Sequence, residues 1–327
     1  MALSNIRSNQ AAIQGQVAAS LRGKRADTRG SAFEITLLAC LLVSLLVLGV
    51  LISDVLIDGL GVYTERGWAF LDGGLSSRPD SAGISQGLLG SFWIAVCVVV
   101  VAFPLGIGAA IYMEMYSREN RLTRFIELNI RNLAGVPSVV YGLLGLAIFV
   151  NALSGFAGAE GVERRTMLAA GVTLAVLVLP IIIITTAEAL RAVPKELQEG
   201  AYGAGATRWE VIRTVVLPYA SPGILTGTLL SIARAIGEAA PLIVVGAVTG
   251  FFSSNIGLNP ANFFDPQNLF ERFTAMPSVV TTWAKLPQDD FKIYNAAAAI
   301  IALMVFVLVI NSIAIVLRNR FEKKRSL

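Results

Sequence analysis

The sequence predicts an all-α, polytopic membrane protein with six transmembrane helices. Three observations carry that reading. First, 55% of the 327 residues are hydrophobic and the mean hydropathy is +0.69, more apolar than a soluble domain can be. Second, apolar runs long enough to cross hydrocarbon recur at about 33–57, 87–113, 128–153, 166–190, 221–248 and 295–317. Third, the basic residues alternate by loop. Arg7, Arg22, Lys24, Arg25 and Arg29 precede the first run, and Arg118, Arg121 and Arg124 follow the second. Arg191, Lys195, Arg208 and Arg213 follow the fourth, and Arg318, Arg320, Lys323, Lys324 and Arg325 follow the last. The alternate loops are poorer, with Arg66 and Arg78, then Arg164 and Arg165, then Arg272, Lys285 and Lys292 over a long stretch. The positive-inside rule then places both termini and the 191–218 loop in the cytoplasm. The net charge of +4 is thus a consequence of topology and not a nucleic-acid footprint.

Taken in order, residues 1–32 read as a polar cytoplasmic tail, mobile or weakly helical. The helix at 33–57 follows; it is too long for a signal-peptide core and lacks a small-residue cleavage site, so it reads as a retained anchor. An outer loop rich in Gly and Ser leads to a membrane core beginning near Ile84 and ending near Arg320, with 321–327 as a short cytoplasmic tail. Glu34, Asn132 and Asn311 sit near span ends, where polar groups reach the interface cheaply. Pro104 in the second span and Pro180 in the fourth are candidate kinks. The third span carries Gly135, Val136, Pro137, Ser138 and Gly142, small residues suited to close helix contacts. Cys40 and Cys97 lie inside apolar runs and read as small packers. The chain has no histidine, which removes His-based acid–base catalysis and the commonest metal ligand. No catalytic or metal site is assigned.

Between the fourth and fifth spans lies a polar interlude, 194–218, that is organised beyond the needs of a linker. Pro194 suits the first position of a helix, and Glu196 and Glu199 complement its dipole. Gly205 can close that helix as a left-handed cap. Thr207 and Glu210 form a capping box that opens a second helix, in which Trp209, Ile212 and Val216 share a face and Leu217-Pro218 marks the end. Two short capped helices on a cytoplasmic loop, at roughly a right angle, form a docking element for another protein.

In the fifth span, Arg234 and Glu238 stand four residues apart on one helical face. Each costs about 2.5–3.5 kcal/mol at mid-bilayer, so neither faces lipid. Two readings remain open on these residues alone: an anion pathway in which Glu238 balances Arg234 until substrate arrives, or a permanent pair that locks the helix. The 249–294 loop, with Phe251, Phe252, Phe263, Phe264, Phe270 and Phe273, fits either a membrane interface or a partner contact.

The interlude also keeps a known spacing. Glu199-Gly200-Ala201, three residues, Gly205, nine residues, Val215, one residue, Leu217-Pro218 resembles the coupling motif of ABC importer permeases, with Gly200 where the motif has Ala. That exchange costs about 1 kcal/mol of helix propensity and leaves the surface small. Arg234 to Leu242, Gly135 to Gly142, and the last span from Asn295 to Arg320 are similar to segments of the phosphate-importer permeases within that group. The likeness covers roughly 84–320. It implies the type I importer permease fold, a role for Arg234 and Glu238 in phosphate passage, and ATPase coupling through Glu199, Gly200, Ala201, Gly205, Trp209, Val215, Leu217 and Pro218. It also implies a second permease subunit, two ATPase subunits and an extracytoplasmic phosphate-binding protein. No Gly-x4-Gly-Lys-Ser/Thr loop is present, so ATP and Mg are expected on the partner ATPase and no cofactor in this chain. Two alternatives are a permease for another oxyanion, such as sulfate or molybdate, and a secondary transporter, for which the coupling spacing would be idle.

Overall fold

In the computed structural model, residues 28–118, 120–157, 165–247 and 263–323 are described. Among them the fold is helical, with a single isolated β-bridge between Thr166 and Arg272. Of the predicted tails and outer loop, residues 1–27, 248–262 and 324–327 lie outside the described residues, and Phe251 and Phe252 with them. The chain divides at Asp54/Val55 into two units. The first consists, in its described part, of the beginning of α1 (Thr28–Arg66), whose apolar side chains such as Leu38, Leu42 and Leu46 are exposed as a lipid-facing helix requires.

The second unit contains the rest. Among the described residues of both units, five helices are long and apolar enough to cross a bilayer, Arg29–Arg66, Ser85–Tyr116, Met167–Arg191, Arg208–Gly237 and Asp290–Arg320, and the bent pair Arg121–Ala134 with Ser138–Leu153 makes up to six if it counts as one span. The span Met167–Arg191 is the hub: 67% of its apolar window is buried, against 6% for Asp290–Arg320 at the periphery. Its neighbours press against it through glycine. A Cβ on Gly106 of α3 (Ser85–Ile111) would lie 2.6 Å from Ile182 of α7 (Met167–Arg191), so only a bare backbone permits this approach. Pro104 and Pro180 sit inside α3 and α7 without ending either helix.

The sharp bend occurs elsewhere, and it corrects the third predicted span. Residues 128–153 are not one helix. α4 (Arg121–Ala134) ends at Gly135, and α5 (Ser138–Leu144) starts after Pro137, 105° away, running on through a π turn (Gly145–Phe149) into α6 (Val150–Ala157). Pro137 has no N–H to continue the ladder and forces an extended backbone before it. The Tyr141 hydroxyl then donates to the Leu133 carbonyl at 2.8 Å, clipping the corner closed.

The fifth span is also redrawn. After α8 (Lys195–Gly203) and α9 (Arg208–Val211), the chain passes through a π turn (Ile212–Val216) straight into α10 (Leu217–Gly237). Leu217-Pro218 therefore does not end a helix as expected. The Leu217 N–H reaches back five residues to the Ile212 carbonyl, and the widened turn accommodates a proline without a break. The break comes instead at Glu238, ahead of Pro241 in α11 (Ala240–Val245), so 221–248 is two helices.

The segments expected as loops are packed. α2 (Trp68–Asp72), a 3-10 turn (Pro79–Ser81), α12 (Met276–Trp283) and the start of α13 (Ala296–Lys323) enclose a cluster with Phe70, Met276, Trp283 and Phe291 at its centre. Phe273 is buried in the main core against α7, and Phe263 stacks on Phe92 while the Trp93 indole donates to the Phe263 carbonyl at 2.9 Å. These aromatics of the 263–294 stretch serve the interior, while Phe264 and Phe270 remain exposed. Ser91 of α3 accepts a hydrogen bond from the Met276 N–H at 2.9 Å, and a Cβ on Gly90 would overlap the Thr274 carbonyl. Gly90→Ala is therefore expected to exceed the ~1–3 kcal/mol of ordinary overpacking. Gly108→Ala, with open space around it, is expected to be neutral. Thermal unfolding of both variants in detergent tests this, and equal midpoints would refute it.

Candidate functional site: the coupling segment and the span-five charge pair

The interlude folds as two capped helices, by local chemistry that can be traced residue by residue. Pro194 is the N-cap of α8, one position ahead of the expected one, with ψ 133°. At the other end Gly205 takes φ +88°, the Gly205 N–H donates to the Tyr202 carbonyl at 2.9 Å, and the Ala206 N–H donates to the Ala201 carbonyl at 3.1 Å. This pair of bonds is the Schellman closure, with Ala201 and Ala206 supplying its small apolar contact. The capping box is complete. The Thr207 N–H donates to the Glu210 carboxylate at 2.7 Å, and the Glu210 N–H donates to the Thr207 hydroxyl at 3.4 Å.

Burial divides the segment into a seat and a face. Val193, Val211, Ile212 and Val216 are fully buried, and all but Ile212 join one cluster with Ala110, Ile183 and Leu190 of the main spans. Trp209 does not share that side. It is 56% exposed, whereas Ile212 and Val216 are fully buried. The face left outside is formed by Glu199, Gly200, Tyr202, Gly205 and Trp209, while Val215 and Leu217 are half-buried and Pro218 is exposed. Gly200 has nothing within 4 Å of a built Cβ, so it answers to no steric demand.

Beneath this segment lies an ion-pair cluster that the sequence reading missed. Arg191, the last residue of α7, meets Glu114 at 2.7 Å and Glu127 of α4 at 3.0 Å, and Glu127 meets Arg131 at 3.1 Å. The cluster thus ties the ends of α3 and α7 to α4, where α8 begins. The Arg191 guanidinium first, and then Arg131, holds the Glu127 carboxyl below the usual carboxylate range. Arg208 adds a further tie, its guanidinium 5.6 Å from the Tyr116 ring centroid. Glu127 and Arg131, four apart on an amphipathic stretch, were the available sequence signal; Glu114 and Arg191 meet only through the fold.

Arg234 and Glu238 are paired, Nε to Oε1 at 3.4 Å. They are not on one continuous helix, however. α10 stops at Gly237, and Glu238 has extended backbone (φ −79°, ψ 111°) at the hinge into α11. In the isolated chain the Arg234 side chain is 52% exposed and that of Glu238 20% exposed, so the pair is not sealed in a core. α11 is itself held against α5, where a Cβ on Gly142 would lie 2.8 Å from the Pro241 Cα.

Residues 102–326 match the family of binding-protein-dependent transport system inner membrane components. Among curated relatives, the probable ABC transporter permease protein YqgI of Bacillus subtilis is 32% identical over 84% of this chain and 90% of its own length. The phosphate transport system permease protein PstA of Yersinia pestis is 33% identical over 82% of this chain and 81% of its own. PstA 1 of Mycobacterium tuberculosis is 30% identical over 87% and 86%. Among solved structures, a bacterial alginate ABC transporter in complex with an alginate pentasaccharide-bound periplasmic protein contains a chain with TM-score 0.57 and 15% identity, covering 88% of this chain and 93% of that one. The MetNI methionine ABC transporter contains one with TM-score 0.50 and 17% identity, covering 73% and 94%. These two likenesses concern the fold.

Proposed function

We propose that this chain, which belongs to the family of binding-protein-dependent transport system inner membrane components and has the type I ABC importer permease fold, is a permease subunit of an ATP-driven importer of inorganic phosphate. It forms half of the translocation pathway. A second related permease supplies the other half, two cytoplasmic ATPase subunits supply the energy with their own ATP and Mg, and an extracytoplasmic binding protein delivers phosphate. Both termini and the 194–218 segment lie in the cytoplasm, the side on which basic residues concentrate.

The observation that carries the coupling role is the exposed face of Glu199, Gly200, Gly205 and Trp209, set on a buried seat at the end of the hub span. ATP-driven closure of an ATPase dimer would move that seat, and α7 and α10 with it. Ala201, Val215, Leu217 and Pro218 complete the segment, partly in the seat and partly beside it. For the substrate, the supporting observations are the PstA relatives and the Arg234–Glu238 pair at the hinge between α10 and α11. A guanidinium presents paired donors to a tetrahedral oxyanion and stays charged at every physiological pH.

Co-expression with the candidate ATPase and binding protein in cells lacking phosphate importers tests this reading. ATPase co-purification with this chain and ATP-dependent uptake of labelled phosphate are expected. Uptake of sulfate or molybdate in its place would overturn the substrate, and uptake without any ATPase would overturn the coupling. Labelling of Arg208→Cys from the outer face, in a chain lacking Cys40 and Cys97, would overturn the orientation.

A further inference from the structure

α4 has no part in the coupling face or the charge pair, yet it is the most strongly amphipathic of the described helices. Leu122, Phe125, Ile126 and Leu133 form one exposed apolar arc, 43–65% accessible. Arg121, Arg124 and Arg131 fall on the other side of the helix, where Leu128 is the one exposed apolar residue, and Ile130 turns inward to the cluster beneath the coupling segment. The 105° corner at Gly135–Pro137 sets α4 nearly perpendicular to the crossing helix 138–153. If that helix spans the bilayer, α4 lies close to the membrane plane. Beside it opens a recess of about 650 Å³, lined by Arg118, Arg121, Arg124 and Arg191 with Glu114 and Glu127. Both of those carboxylates are already held by Arg191, and Glu127 by Arg131 as well. No described carboxylate pairs with Arg118, Arg121 or Arg124.

We propose that α4 is an interfacial helix on the arginine-rich side of the membrane, and that the recess beside it takes the headgroup of an anionic phospholipid. An in-plane helix with an apolar arc toward the acyl chains and arginines on its polar side has the pattern of surface-bound amphipathic helices. The three guanidiniums that no described carboxylate pairs select a negatively charged headgroup over a zwitterionic one, through charge-assisted bonds to its phosphate. The arginine recess and the apolar arc share one short helix, and an anionic lipid satisfies both at once. The bound headgroup would sit against the Arg191 cluster and so touch the base of the coupling segment. This inference depends on the membrane orientation proposed above and not on phosphate being the substrate.

The experiment uses the whole importer in nanodiscs. A nitroxide at Phe125→Cys, with Cys40 and Cys97 replaced by Ala, is expected to collide more with oxygen than with a water-soluble nickel chelate. Native mass spectrometry is expected to show phosphatidylglycerol retained over phosphatidylcholine. Loss of one arginine should lower that preference about 5-fold, and Arg121→Gln/Arg124→Gln about 30-fold, at about 1 kcal/mol per basic side chain near an anionic surface. A nitroxide shielded from both collision partners would mean a protein covers the arc and would overturn the proposal. So would an excess of nickel collisions, or an unchanged lipid preference in the double variant. The orientation assay at Arg208→Cys is independent of these readouts, so the two failures are distinguishable.

Discussion

Gly205→Val is expected to weaken ATPase docking about 5- to 30-fold and to abolish coupled uptake, while the chain still inserts and folds. The residue stands at φ +88°, where an L side chain costs about 1–2 kcal/mol and a β-branched one more. The penalty is purely one of backbone conformation, because nothing lies within 4 Å of a built Cβ. Relief requires giving up the Gly205–Tyr202 and Ala206–Ala201 bonds, which fix the angle at which α8 passes to the Thr207 capping box. Two controls isolate this cause. Gly205→Asn, which tolerates the left-handed region, is expected to recover most of the docking. Gly200→Ala, in open space within α8, is expected to be neutral or to stabilise the helix by up to about 1 kcal/mol. Co-purified ATPase and labelled-phosphate uptake are measured in each. Wild-type values for Gly205→Val would remove the segment from the coupling role.

The elements legible from the sequence were those whose cause is local. A capping box and a glycine cap are specified within six residues, and both are found at Thr207, Glu210 and Gly205. Hydropathy located the five long apolar helices and the bent pair but misjudged where two of its six runs turn. A window averaged over 128–153 ignores that Pro137 removes a donor at the corner, and one averaged over 221–248 conceals the halt ahead of Pro241. The common face assigned to Trp209, Ile212 and Val216 is divided, because Ile212 and Val216 are buried by tertiary packing while Trp209, beside the capping box, stays exposed. The π turn, which ends two residues ahead of Pro218, also lies outside a fixed period of 3.6. The Arg191–Glu114–Glu127 cluster was illegible because its members come from three helices brought together only by tertiary packing. The burial of Phe273 and Phe291 belongs to the same class, since aromatics in a long polar stretch serve a core or a surface alike until the chain has folded.

Arg234→Gln is expected to abolish phosphate uptake with little change in the abundance of the assembled importer. The substitution keeps a polar side chain of similar reach and removes the fixed charge. Little stability should go with it, because the pair is half-exposed in this chain, joined by one contact of 3.4 Å, and such exposed pairs contribute about 0–1 kcal/mol. Glu238→Gln is expected to act differently. Glu238 sits at the hinge with extended backbone, its N–H donating to the Ala235 carbonyl at 3.3 Å, and neutralising its carboxylate leaves Arg234 charged and free for an anion. Uptake should therefore fall less, with release of phosphate slowed instead of capture lost. The competing account makes the pair a lock that becomes buried once the second permease covers it. In that case each single variant strands a charge in a dry site, at a cost of about 3–5 kcal/mol, and the importer fails to assemble. The neutral double variant Arg234→Gln/Glu238→Gln separates the two accounts. If Arg234 meets the anion, the double variant assembles and stays inactive; if the pair is a lock, both assembly and uptake return. Measuring membrane abundance and labelled-phosphate uptake across all three variants decides it, and recovered uptake in the double variant would end the pathway role of Arg234.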